Sequence, residues 1–162
     1  MNDPGVALLR IEDLAISFVG ESGRVRAVTG VNLSIYPGQT LAVVGESGCG
    51  KSVTALSILK LVPTPPGRYE SGMIWWGGDG AAPVDLLRRS ESQMREIRGN
   101  RIAMIFQEPM TSLNPVYTVG EQIIEAILLH QCVTRRQAVD IAQDALGDVG
   151  ISDAASRLRE YP

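Results

Sequence analysis

Eight consecutive residues, Gly45-Glu46-Ser47-Gly48-Cys49-Gly50-Lys51-Ser52, follow the pattern G-x-x-x-x-G-K-[ST]. This is the spacing of a loop that cradles the phosphates of a nucleotide. Its small residues let successive backbone N–H groups turn toward the anion, and a following helix presents its positive end to the same charge. Lys51 is expected to reach the β- and γ-phosphates as a mobile point charge, and the Ser52 hydroxyl to coordinate Mg²⁺. The nucleotide-binding residues are accordingly Gly45 through Ser52, with Val53 beside them. The bland alternative is an ordinary Gly-rich turn. The neighbours decide against it, because a short apolar run precedes the loop and a helical pattern follows.

Such a loop works only when rigid elements hold it. Residues 40–44, TLAVV, have the composition of a fully buried central strand, and residues 51–61 read as a helix. Val53, Leu56 and Leu59 recur at helical spacing, and Pro63 ends the pattern. Upstream, residues 6–18 and 25–35 suggest two strands, with Gly30 as a bulge or turn and Pro37-Gly38 as a tight turn. Downstream, residues 63–67 form a Pro/Gly-rich loop and residues 72–76 a strand, with Trp75 and Trp76 placed on an edge of the sheet. Ser90 with Gln93 makes a capping box for a short helix over residues 90–98. Residues 101–106, RIAMIF, read as a second buried strand with Gln107 at its end. Beyond that point the pattern is helical. Thr118 with Glu121 and Thr134 with Gln137 repeat the capping box ahead of Ile123, Ile124, Ile127 and Leu128, and of Ala138, Ile141, Ala142, Ala145, Leu146 and Val149. Gly147 or Gly150 offers the stop.

The 162 residues suffice for one real core. Apolar residues make up 44% and charged residues 20%, ordinary for a globular protein, while aromatics at 5% leave the core to Val, Ile, Leu and Ala. A net charge of -3 without blocks of like charge gives no electrostatic footprint for nucleic acid. Cys49 and Cys132 are the only cysteines, and a two-cysteine chain with one thiol in a phosphate loop reads as a reduced, cytosolic protein. The first residues lack a secretion signal, and no apolar run approaches the roughly 20 residues of a membrane span. Function at a membrane would therefore depend on partner subunits. No internal repeat or low-complexity segment is present.

The surrounding residues resemble the ABC ATPase family. The stretch FQEPMTSLNPVYTVGEQI, residues 106–123, and VGESGCGKSVTAL, residues 44–56, are similar to the ATPases of oligopeptide, dipeptide, nickel and glutathione importers. On the strength of EPMTSLNPVYTVGEQI and the following LHQ, residues 129–131, the chain looks most similar to the glutathione importers within that group. The resemblance covers nearly the whole chain. It implies an α/β P-loop core with an antiparallel β subdomain over residues 1–107, then the Q-loop and the start of a helical subdomain over residues 108–162. It implies that Phe18, where the family usually has Tyr, stacks on adenine, the other reading being a core phenylalanine. Gln107 matches the Q-loop glutamine, a ligand to Mg²⁺ and, with Lys51, part of the catalytic set. A neutral amide suits that place, since it accepts from a metal-bound water and donates elsewhere.

The cofactors implied are ATP and Mg²⁺. The implied partners are transmembrane permease subunits, a second ATP-binding cassette in a head-to-tail dimer or tandem chain and, indirectly, an extracytoplasmic solute-binding protein. The implied place is the cytoplasmic face of the bacterial plasma membrane. The resemblance also implies an N-terminal fragment: the LSGGQ-like motif, the Walker B strand, the catalytic glutamate and the switch histidine are expected beyond residue 162. Glu46 and Glu108 flank the loop and the Q-loop without matching that glutamate, and His130 lies before the switch position. The fragment is thus expected to hydrolyse ATP poorly by itself and to expose apolar sheet edges. Two rival readings are a non-catalytic nucleotide-binding module and a P-loop kinase or GTPase. The latter leaves the stretch after Phe106 without a role.

Overall fold

The computed structural model describes residues 6–21, 23–78, 80, 82–107 and 112–162. The chain divides into two compact units, Met1–Ile102 and Ala103–Pro162.

The first unit is built on an antiparallel sheet of order β2-β1-β3-β4, formed by β1 (Leu9–Gly20), β2 (Gly23–Ile35), β3 (Gly67–Trp76) and β4 (Val84–Asp85). Leu9, Ile11, Leu14 and Ile16 of β1 all enter the core. Strict alternation would put Leu14 on the wrong face. An extra residue corrects the phase: Ile11 pairs with Leu33 but Leu14 with Val31, and Glu12 pairs with Met73 but Ala15 with Ser71. Asp13 in the left-handed region (φ 46°) makes this bulge, and its N–H donates to Asn32 Oδ1 at 2.9 Å. Gly72 is obligatory opposite it, because a Cβ there would stand 2.5 Å from Leu14 Cα. β2 carries its own irregularities near Gly30 and Ala27.

Val28, Val62, Ile74, Leu86 and Met94 complete this core. Full burial of an Ile, Leu or Met side chain contributes about 1.5–3 kcal/mol, so Ile11, Leu14, Ile16, Ile74, Leu86 and Met94, all fully buried, contribute most to its stability. Two helices pack on it, α1 (Lys51–Ile58) and α2 (Glu91–Ile97). The expected capping box of α2 is present, with Ser90 N donating to Gln93 Oε1 at 3.0 Å and Gln93 N to Ser90 Oγ at 3.3 Å.

The second unit contains α3 (Val119–His130), α4 (Arg135–Asp148) and α5 (Ala154–Arg157). The capping boxes Thr118/Glu121 and Thr134/Gln137 are both formed. Ile124, Ala138, Ala142, Leu146 and Leu158 make its core. Three of these lie on α4 at i, i+4, i+8, the spacing of a single helical face. The N-terminal amides of α3 are satisfied from far along the chain: Val119 N donates to Glu160 O and Gly120 N to Leu158 O, both at 2.9 Å.

Four expectations are corrected. Residues 40–44 and 101–106 do not form the two buried strands. An extended segment becomes a strand only when neighbours take its N–H and C=O groups, and among the described residues no strand pairs with either. Val44 is 90% exposed and Ile105 96%, and Ile102 makes only an isolated bridge to Arg98. The helix over residues 51–61 ends at Ile58, because Lys60 turns left-handed (φ 50°). Trp75 and Trp76 are not on an edge, since β3 pairs with β1 on one side and with β4 at these two residues on the other.

Candidate nucleotide-binding site

The chain enters α1 through Gly50, whose φ of 90° is open to glycine and strained for other residues. No side chain caps the helix, and its first turn holds no acidic residue. The first helical hydrogen bond runs from Thr54 N to Gly50 O at 2.8 Å, with Thr54 Oγ1 on the same carbonyl at 3.0 Å. The N–H groups of Gly48, Gly50, Lys51, Ser52 and Val53 find no acceptor among the described residues. Five donors within six residues, at the positive end of a helix, form a receptor for an anion.

Lys51 adds the charge. Its Nζ donates to Gly45 O at 2.6 Å and to Glu46 O at 2.7 Å, with Cys49 Sγ at 3.5 Å. The ammonium therefore sits inside the curl of the loop, paired with carbonyls and, among the described residues, with no carboxylate. An arriving phosphate would exchange two neutral acceptors for an anionic one and so add the attraction between opposite charges to the hydrogen bond. The Ser52 hydroxyl is exposed and makes no hydrogen bond among the described residues, which leaves its oxygen free for a hard cation. Val53 packs its side chain on the core, so only its backbone faces the loop. Glu46 and Ser47 are exposed, and Cys49 is an exposed free thiol.

Docking of the loop on the sheet explains its composition. A Cβ on Gly45 would meet Cys49 Sγ at 2.7 Å, and Gly48 needs φ 82°. Gly50 rests on Ala27 of β2, two positions from Val25, and Val25 is the register partner of Phe18. Phe18 and the loop thus lie at one end of the β1–β2 hairpin. Phe18 is half-buried, packed on the core, with its Cε1 3.2 Å from where a Cβ of Gly67 would stand. Beside α1, Leu33, Ile35, Leu41, Val43 and Ile58 join Lys51 and Ser52 around an open cleft of about 330 Å³.

Gln107 belongs to the second unit and is exposed. Glu108, with residues 109–111 of the stretch that follows Phe106, lies outside the described residues. His130 closes α3 at its negative end, where a basic side chain is favourable. Two residues that bear on the site escaped the sequence reading. Ala27 carries no chemical signal at all. In the sequence Arg98 marks only a helix end, although its donors hold the far end of α1: Nε donates to Leu59 O at 2.8 Å and Nη2 to Lys60 O at 3.3 Å. No spacing rule would have found either.

A Gly-rich loop with unpaired amides and an inward-folded lysine at the start of a helix is an arrangement that can hold a phosphate group. The chain belongs to the ABC transporter family, whose model matches residues 28–162. A "Probable peptide ABC transporter ATP-binding protein" of Sinorhizobium fredii is 51% identical over 155 residues, 96% of this chain and 45% of that protein. The oligopeptide transport ATP-binding protein of Bacillus subtilis is 46% identical over the same share of this chain and 42% of its own length. The chain thus spans about half the length of the curated relatives it matches. Among solved structures, a dimeric ATP-binding cassette in a post-hydrolysis state with ADP and Pi superposes with a TM-score of 0.78 at 17% identity, over 95% of this chain and 61% of that one. That likeness establishes the fold.

Proposed function

We propose that this chain is the nucleotide-gripping part of an ATP-hydrolysing subunit that powers a peptide importer. The observation that carries the proposal is the unpaired amide set of the loop with Lys51 folded into it. In this reading the loop amides hold the α- and β-phosphates, and Lys51 leaves its two carbonyls for the β- and γ-phosphates. Phe18 offers the exposed part of its ring to adenine. Ser52 would be the loop's ligand to Mg²⁺, and Gln107 would be a ligand of the second unit; the ion would neutralise charge on the phosphate oxygens when bound. The free Ser52 hydroxyl fits that role. Hydrolysis rests on positioning and electrostatic stabilisation of the transferring phosphoryl group.

Names of relatives that carry peptides, oligopeptides and dipeptides support small peptides as the solute class. The whole protein then works with permease subunits and a second cassette at the cytoplasmic face of the membrane. No described helix is long and apolar enough to cross a bilayer. The test is calorimetric titration of ATP with Mg²⁺ into the chain and into Lys51→Ala. Tight binding that the substitution abolishes is the expected outcome, and equal affinity in the two would end the proposal. A phosphate-release assay on the same samples separates hydrolysis from binding alone.

A further inference from the structure

The helix that presents Lys51 and Ser52 is eight residues long, and its own side chains cap neither end: no basic residue occupies its last turn. Its C-terminal end is closed by backbone instead. Leu61 N donates to Leu56 O at 2.9 Å and Lys60 N to Ser57 O at 3.0 Å, with Lys60 in the left-handed position that usually belongs to glycine. The carbonyls just beyond, Leu59 O and Lys60 O, are then taken by one guanidinium. Arg98 approaches them with Nε at 2.8 Å and Nη2 at 3.3 Å, while its remaining donors form a two-pronged pair with the Glu91 carboxylate. A reciprocal strut runs from Lys60 Nζ to Arg89 O at 2.8 Å.

Arg98 is largely shielded, its side chain 21% exposed, which makes these bonds stronger than their surface equivalents. Its positive charge also lies at the negative end of the α1 dipole. The joint matters because α1 is a lever. Eight residues span about 12 Å, so a tilt of about 5° at the clamped end moves the first residues by about 1 Å. Misplacement of that size costs up to about a hundredfold where charged groups must meet a ligand in register.

We propose that Arg98 is a positioning residue for the phosphate loop, fixing the direction of α1, and hence the places of Lys51 and Ser52, through the Leu59 and Lys60 carbonyls. The inference rests on the nucleotide-binding reading of the loop. It adds that the grip on the anion is set in part at the opposite end of the helix, by a residue that touches no ligand. Arg95, on the exposed side of α2, has the same charge and no bond to α1 among the described residues, which makes it the internal control.

The experiment measures ATP affinity with Mg²⁺ for the chain and for Arg98→Ala, Arg98→Lys and Arg95→Ala. It is done at a temperature where circular dichroism shows each sample fully folded. About a tenfold rise in Kd is expected for Arg98→Ala, a smaller rise for Arg98→Lys, which keeps the charge but not the fork, and a change within twofold for Arg95→Ala. A purely structural Arg98 would lower the unfolding midpoint and leave Kd of the folded protein unchanged, and that outcome overturns the proposal. If Arg98→Ala does not fold, an unchanged Kd in Arg98→Lys overturns it equally. Failure of the parent chain to bind ATP removes the reading of the loop and this inference with it. Binding by the parent with no effect at Arg98 removes the inference alone.

Discussion

The carbonyl oxygen of Ala27 lies where a side chain at residue 50 would begin: a Cβ on Gly50 would stand 2.3 Å from it. The loop is therefore seated on the sheet backbone to backbone, at a place where β2 carries an extra residue between the Ile16–Val28 and Ser17–Arg26 pairs. Conformation and contact impose the same requirement at Gly50, so a glycine there satisfies two independent constraints.

Gly50→Ala is expected to fail on both counts. The left-handed conformation alone costs on the order of 1–2 kcal/mol for a residue with a Cβ, and the overlap with Ala27 forces the start of α1 away from β2. ATP affinity should fall at least tenfold, with a lower urea midpoint. A titration showing affinity within twofold of the parent would contradict this seating of the loop.

Gly120→Ala reverses the usual sign of a helical substitution. Within a helix Ala is preferred to Gly by roughly 0.5–1 kcal/mol. Here the new methyl would stand 2.4 Å from Leu158 O, which accepts the Gly120 N–H. Overpacking of this kind costs about 1–3 kcal/mol, so the second unit should be destabilised on balance. Urea unfolding followed by far-UV circular dichroism, with faster exchange of the Val119 amide, checks it.

Tyr69 should give the protein an alkaline transition. Burial pushes its hydroxyl up to about 12, partly opposed by the charge of Arg98. The neutral form is the one the fold favours. Its stabilising contribution is thus complete below the ordinary tyrosine value of about 10 and is lost as pH rises through about 12. The hydroxyl has no hydrogen-bond partner among the described residues. Tyr69→Phe should therefore leave stability at pH 7 unchanged or raised by up to about 1 kcal/mol, and should abolish the added loss of stability between pH 10 and 12. Denaturant midpoints at pH 8, 10 and 11.5 for both proteins decide it.

Local signals were legible wherever a few neighbouring residues settle the outcome. The pairs Ser90/Gln93, Thr118/Glu121 and Thr134/Gln137 each bond across one helical turn, and all three boxes formed. The alternation in β1 announced a strand, although its change of phase at Asp13 depended on Asn32 and Gly72, far along the chain. The apolar runs TLAVV and RIAMIF misled for the same reason. Apolar composition says that a segment favours burial, while only a partner strand makes it part of a sheet.

The amino-acid order by itself determined a Gly-rich loop with a lysine at the start of a helix over residues 45–52, because these are properties of a short segment. Tertiary structure alone decided what seats and aims that loop: the Ala27 carbonyl under Gly50 and the Arg98 guanidinium on Leu59 and Lys60. Those contacts join residues 23, 39 and 38 positions apart. No local preference encodes such pairings, and they exist only once the sheet and the second helix have folded around the first.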